Sequence, residues 1–349
     1  MGVYNILGLF TIVSHVLAID LCREHSSCVP LRKCHPKSSS AFIYPCHIGL
    51  NLICCPNSDI QNTTSLETRK TLLFPEECGE ITNEKKIKGG KNADLGQFPW
   101  MALLGYKQKS AGISEFLCGG TIITHRYIMT AAHCLAVKSR ELVFVRLGEH
   151  DIDSEDDCVT IKKYTKCADK PVDINVEERI PHFQYNETTL KNDIALLRLE
   201  LDIPSKSEFI KPICLPFERS LESKDLAGQK FTITGWGKTD PKNLQGSSYL
   251  QYAQVVVANQ EKCNSNLPAR VRNISDSQLC AIGKTEDACK GDSGGPLSNA
   301  TGDFKGEIRI FQIGIVSFAP TPTCGIQELP PVYTRVDKYL KWIEDTVIV

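Results

Sequence analysis

From Ile87 onward the chain consists of short apolar or alternating runs separated by Gly, Pro and Asn: FLCGGTIIT, YIMTAAHC, ELVFVRLGEH, KFTITGWG, YLQYAQVVVA and FQIGIVSFA. Runs of this length between turn-forming residues predict antiparallel strands in a barrel or sandwich, not alternating helices and strands. The pattern changes at the end, where Val336, Tyr339, Leu340 and Ile343 recur at i, i+3, i+4 and i+7 and predict an amphipathic C-terminal helix docked on the body. Residues 56–86, with NSDIQNTTS and EECGEITNEKK, sustain no apolar period and read as a linker. At the other end an apolar stretch from Ile6 to Leu17 closes on Val16-Leu17-Ala18. This predicts a secretory signal over 1–18, with the mature chain starting near Ile19. The stretch is too short to span a bilayer, and no second apolar run of that kind follows.

Charge adds an exclusion. Forty Lys+Arg against 41 Asp+Glu leave a formal charge of -1, so the bulk balance points neither to nucleic acid nor to an anionic membrane surface. Sixteen cysteines, an even number, predict disulfides in an oxidising compartment and agree with secretion. A zinc reading fails on spacing, because there is no paired C-x-x-C set and Cys54 and Cys55 are adjacent. Cys22, Cys28, Cys34, Cys46, Cys54 and Cys55 crowd into 22–55, a segment too short to bury an adequate core, so disulfides at roughly 2–5 kcal/mol each would hold it together. Their connectivity is not deducible from spacing. Asn62, Asn186, Asn273 and Asn299 head N-x-S/T tripeptides, which fit glycosylation of a secreted surface.

Three separated stretches hold the groups that acyl transfer needs: TAAHC around His133, NDIALLRL around Asp193, and DACKGDSGGP around Ser293. A serine hydroxyl is a poor nucleophile until a base takes its proton, and that base must be held in one tautomer by a carboxylate. Ser293, His133 and Asp193 can fill those roles. Alone, a histidine in an Ala-rich stretch reads as a packed imidazole and Asn-Asp before a strand as a turn; GDSGGP between apolar strands is far more specific. Gly291 lacks a Cβ, so its N–H and that of Ser293 can both reach the oxyanion of a tetrahedral intermediate.

These motifs, in the chain order His, Asp, Ser, together with GWG at Gly235–Gly237 and PVYTRV at Pro331–Val336, make residues 87–349 resemble the chymotrypsin-like serine peptidases. The resemblance implies an all-β fold, a double six-stranded antiparallel Greek-key β-barrel with a C-terminal helix and no required cofactor. The cysteine-dense module at 22–55, ending in the adjacent Cys54-Cys55 pair, followed by a linker, resembles the clip domain of arthropod haemolymph peptidases. That likeness implies pairs Cys22–Cys54, Cys28–Cys46 and Cys34–Cys55. In the peptidase domain it implies Cys118–Cys134, Cys263–Cys280, Cys289–Cys324 and Cys78–Cys214, with Cys158 and Cys167 left to pair across an insertion.

KKIKGG at 85–90, by itself a solvated turn, acquires a role from the same resemblance. Cleavage after Lys86 would free the amino group of Ile87, which would pair with Asp292 and order the loop around Gly291; a buried carboxylate is costly unless paired. Asp287, six residues before Ser293, matches the pocket-floor position that selects Arg or Lys. Ser317, Ala319 and Pro331 fall at pocket positions, but Ala319 and Pro331 stand where trypsin-like members carry glycine, and proline adds a ring while removing a donor. The loop GEHDIDSEDD, Gly148–Asp157, is either an acidic surface or a Ca²⁺ site matched at Glu149.

The expectation is thus a secreted, monomeric zymogen of a trypsin-like serine endopeptidase in an extracellular immune cascade. Its substrate would be a prophenoloxidase or a Toll-ligand-like protein, its activator an upstream trypsin-like protease, and its inhibitors serpins, with neither nucleic acid nor membrane as partner. A catalytically weak binding cofactor and a digestive or venom peptidase are the alternatives; the intact Ser293 counts against the first, and the tethered disulfide module against the digestive form of the second.

Overall fold

A computed structural model of the chain describes residues 26–30, 44–45, 52–56, 77–80, 91–108, 114–217, 225–238, 246–271, 273–283, 291–304, 307–320 and 330–347. The chain divides into two compact units, Met1–Thr64 and Ser65–Val349, so the division falls inside the segment read as linker. Among the described residues no helix is long and apolar enough to cross a membrane.

The first unit holds strands β1 (Ser26–Pro30), β2 (Tyr44–Pro45) and β3 (Leu52–Pro56) in an antiparallel sheet ordered β1-β3-β2. The backbone of Cys28 lies opposite Cys54 in that sheet. Cys54 and Cys55 are buried and disulfide-bonded. Cys22, Cys34, Cys46 and Asn62 lie outside the described residues.

In the second unit the chain runs through β4 (Lys91–Asn92), β5 (Met101–Gln108), β6 (Ser114–Ile122), β7 (Tyr127–Thr130), β8 (Arg140–Leu147), the hairpin β9 (Cys158–Ile161) and β10 (Tyr164–Cys167), β11 (Val172–Pro181) and β12 (Ala195–Leu199). Six of these close on themselves in the order β11-β12-β7-β6-β5-β8, with β8 pairing back to β11. The second half supplies β13 (Lys230–Gly235), β14 (Gln251–Val257), β15 (Gln278–Gly283), β16 (Pro296–Phe304), β17 (Glu307–Phe318) and β18 (Val332–Arg335). These run β13-β16-β17-β18-β15-β14, and a further β13–β14 pairing closes a second six-stranded ring, with β4 added outside β14. Among the described residues, each of the twelve ring strands thereby has a partner on both sides.

The predicted strands form for the expected reason. All four residues of β7, YIMT, are buried, while β11 alternates buried Ile174 and Val176 with exposed Asp173, Asn175 and Glu177. Leu104, Ile122, Ile128, Met129 and Leu147 fill the first barrel; Phe231, Val255, Leu297, Phe311 and Tyr333 fill the second. Each such side chain contributes about 1.5–3 kcal/mol through burial. The C-terminal periodicity resolves into two pieces, a 3-10 turn at Val336–Tyr339 and an α-helix, Leu340–Thr346. Val336, Tyr339, Leu340 and Ile343 all enter the first barrel's core cluster, so the chain returns to its first half at its end.

His182 receives that helix. Its ring stacks on Phe183 at 4.7 Å and meets the edges of Tyr339 and Trp342 at 5.2 and 5.1 Å, while its Nδ1 accepts the Gln184 N–H. Burial pushes its pKa down to about 4, so the folded protein carries this ring neutral. Between pH 6.5 and 4 the unfolded chain binds a proton that the folded chain refuses; stability therefore falls as pH falls, by up to about 3 kcal/mol. Urea unfolding across that window should show this slope, and His182→Gln should flatten it.

Candidate active site

His133 sits in a 3-10 turn, Ala132–Leu135, that directly follows the buried strand β7. Asp193 lies two residues before β12, which pairs with β7, so the barrel register brings the two side by side. Asp193 is fully buried, its Oδ2 lies 2.8 Å from His133 Nδ1, and its Oδ1 accepts the His133 backbone N–H at 2.9 Å. The Ser317 hydroxyl donates to Oδ2 at 2.5 Å. Burial alone would raise this carboxyl; the charge of His133, its two hydrogen bonds and that of Ser317 together hold it below its usual range. An ionised Asp193 accepts from Nδ1–H, which leaves Nε2 as the ring's free base.

Ser293 comes from the second barrel, just before β16. Its carbonyl accepts the Gly119 N–H at 2.8 Å, Gly119 follows Cys118, and Cys118 is joined by disulfide to Cys134, the neighbour of His133. One hydrogen bond and one disulfide therefore connect the serine segment to the histidine turn. Gly294 has φ +80°, and a Cβ there would overlap Thr130 Oγ1 and the Gly119 carbonyl. Gly291 has φ +109° and lies against the Gly237 backbone. The Asp292 carboxylate accepts the Gly237 N–H at 2.8 Å and fills space that side chains at 235 or 237 would occupy. This accounts for glycine at both ends of the GWG motif. Cys118, His133 and Cys134 cluster as metal ligands would, but the disulfide removes both thiolates.

Of the expected specificity positions, Ser317 has a buried side chain, 2% exposed, whose hydroxyl is bonded to Asp193. Phe318 pairs with Val332, the last pair of β17 and β18; exposed Ala319 follows β17 and buried Pro331 precedes β18. Asp287, Cys289, Cys324, Lys86 and Ile87 lie outside the described residues.

Upstream of Lys86 the segment 77–80 is fastened to the catalytic unit. Cys78 is disulfide-bonded to Cys214, Gly79 exchanges backbone hydrogen bonds with Pro212 and Ile310, and Glu80 pairs with Lys211 at 2.6 Å and Arg309 at 3.3 Å. Further disulfides join Cys158 to Cys167, closing the β9–β10 hairpin, and Cys263 to Cys280. Asn186 and Asn273 are exposed, whereas Asn299 is half-buried and its amide donates to the Lys230 carbonyl.

In the acidic loop Glu149 and Asp157 are both buried. Burial, with the Asp157 charge, pushes the Glu149 carboxyl up despite the His150 N–H and Arg146. Arg146 lies 3.5 Å from Glu149 but donates two shorter bonds to Asp173, so its charge is shared. The Glu149 carboxylate accepts the His150 N–H, and the Asp157 carboxylate accepts those of His150 and Asp151.

The trypsin family matches residues 87–343 of the chain. Serine protease grass of Drosophila melanogaster is similar at 39% identity over 86% of this chain and 77% of its own length. Phenoloxidase-activating factor 3 of Holotrichia diomphalia is similar at 34% identity over 98% of each chain. The crystal structure of the Drosophila Grass clip serine protease of the Toll pathway superposes with a TM-score of 0.70 at 35% identity, covering 92% of this chain and 94% of that one.

A methyl group at Gly294 should misplace Ser293. For Gly294→Ala we expect kcat/KM to fall on the order of 100-fold and stability by about 1–3 kcal/mol from backbone conformation alone. Gly228, also left-handed at φ +78° but with open space around its Cβ, is the control: Gly228→Ala should lose some stability and keep its turnover.

Proposed function

The chain belongs to the trypsin family, and from that premise we propose that it is the secreted zymogen of an endopeptidase that cleaves protein substrates after Arg or Lys in an extracellular immune cascade. The observation that carries this reading is the fully buried Asp193, bonded to both the side chain and the backbone of His133. His133 takes the Ser293 hydroxyl proton at Nε2 as the oxygen attacks the scissile carbonyl, then returns it to the leaving amine. Asp193 stabilises the imidazolium between those steps. The N–H groups of Gly291 and Ser293 receive the oxyanion, and Asp287 receives the basic side chain.

Cleavage after Lys86 activates the enzyme by freeing Ile87 to pair with Asp292. The anchoring of Cys78 and Glu80 supports a tether that keeps the N-terminal module attached afterwards. Kinship with a Toll-pathway protease and a phenoloxidase-activating factor supports a proprotein in one of those two cascades as substrate, an upstream trypsin-like protease as activator and serpins as inhibitors. The enzyme acts as a monomer in haemolymph. A second reading, a binding cofactor of weak activity, draws on Ala319 and Pro331, which stand where trypsin-like members carry glycine. Ca²⁺ at Glu149 and Asp157 would neutralise the acidic loop and take no part in the chemistry.

The test is kcat/KM on matched Arg, Lys, Phe and Ala peptide amides, before and after cleavage, with N-terminal sequencing at Ile87. A large rise limited to Arg and Lys is expected. No rise with Ile87 exposed would favour the cofactor reading. Separately, millimolar Ca²⁺ should raise the thermal midpoint of the wild type and leave Glu149→Gln unchanged; an unchanged wild type would return the loop to plain acidic surface.

A further inference from the structure

Asp193 is held by its backbone as tightly as by its carboxylate. It stands at the apex of a tight turn in which the Asn192 carbonyl accepts the Ile194 N–H at 2.9 Å. Asn192 has φ +56°, the left-handed region that side-chain-bearing residues seldom adopt. Both polar ends of its side chain are engaged: Nδ2 donates to the Gln184 carbonyl at 2.9 Å, and Oδ1 accepts the Tyr339 hydroxyl at 2.8 Å. The carbonyl of Asp193 accepts the Thr334 hydroxyl at 2.8 Å. Thr334 belongs to β18 and Tyr339 to the turn before the final helix, so both come from the last part of the chain, while the dipeptide they grip belongs to the first barrel. Thr334 and Tyr339 are 1% and 5% exposed, so solvent does not replace these donors.

We propose that Tyr339, through Asn192, and Thr334, through the Asp193 carbonyl, are positioning residues for the carboxylate that orients His133. The inference rests on the reading of Asp193 as that carboxylate. A strained dipeptide keeps its geometry only where its surroundings over-determine it. With either donor removed, the turn relaxes toward ordinary dihedrals, Asp193 rotates away from His133 Nδ1, and the base is less often in the reactive tautomer and orientation.

Tyr339→Phe and Thr334→Val keep shape and delete one hydroxyl each. In the activated enzyme each should lower kcat about three- to tenfold, the loss of one hydrogen bond, with KM unchanged. Asn192→Gly keeps the left-handed turn while freeing Tyr339, and should show the same loss if either other variant folds poorly. In an Asp193→Asn background, where kcat should already be about 10⁴-fold lower, Tyr339→Phe should cost nothing more. The downfield proton NMR signal of the His133–Asp193 bond should shift or broaden in the two hydroxyl variants. Wild-type kcat in Tyr339→Phe and Asn192→Gly would overturn the inference, as would a Tyr339→Phe loss that persists in full in Asp193→Asn. Near-normal turnover of Asp193→Asn itself would instead remove the reading beneath it.

Discussion

A carboxylate without solvent exposure is tolerated only if protein groups replace its water, and Asp193 is that carboxylate here. Three donors meet its two oxygens: the Nδ1–H and backbone N–H of His133 and the hydroxyl of Ser317. Because the geometry is nearly saturated, the ring of His133 has one orientation and one tautomer. The arrangement that makes burial tolerable is the same one that makes the histidine a base.

Those donors tie the two barrels together. His133 and Asp193 belong to the first, whereas Ser317 on β17 and Thr334 on β18 belong to the second, as does the segment carrying Ser293. His133, Asp193 and the Ser293 segment therefore lie along the seam, joined by bonds that come from both barrels. The C-terminal turn and helix fasten the seam by packing Tyr339, Leu340 and Ile343 into the first barrel's core.

Glycine decides how closely the seam closes. At Gly294 the backbone passes beside Thr130 and the Gly119 carbonyl where no Cβ fits, and at Gly235 and Gly237 the Asp292 carboxylate occupies the place of a side chain. A small-residue motif that looks conformational in one dimension is, in three, mostly a matter of clearance. The Asp292 carboxylate thereby rests on the Gly237 N–H and beside Cα atoms that carry no side chain.

Much of this was legible in the chain itself. Local periodicity marked the strands β6, β7, β8, β13, β14 and β17 and the C-terminal helix, because burial of one face imposes a two- or 3.6-residue repeat on neighbours in sequence. His133, Asp193 and Ser293 were legible as chemistry because their contexts are short and specific. Other features carried no such mark. Thr334 meets Asp193 across 141 positions, and Ser317 across 124, and no local pattern records a partner so distant. Thus the Ser317 hydroxyl donates to Asp193 and the Asn299 amide to the Lys230 carbonyl, contacts that no local pattern announces. Sequence alone determined which groups are present and which segments become strands, since these depend on side-chain type and short-range repeat. Only the tertiary structure decided which groups meet, because hydrogen bonds between barrels depend on register and closure that no single segment contains.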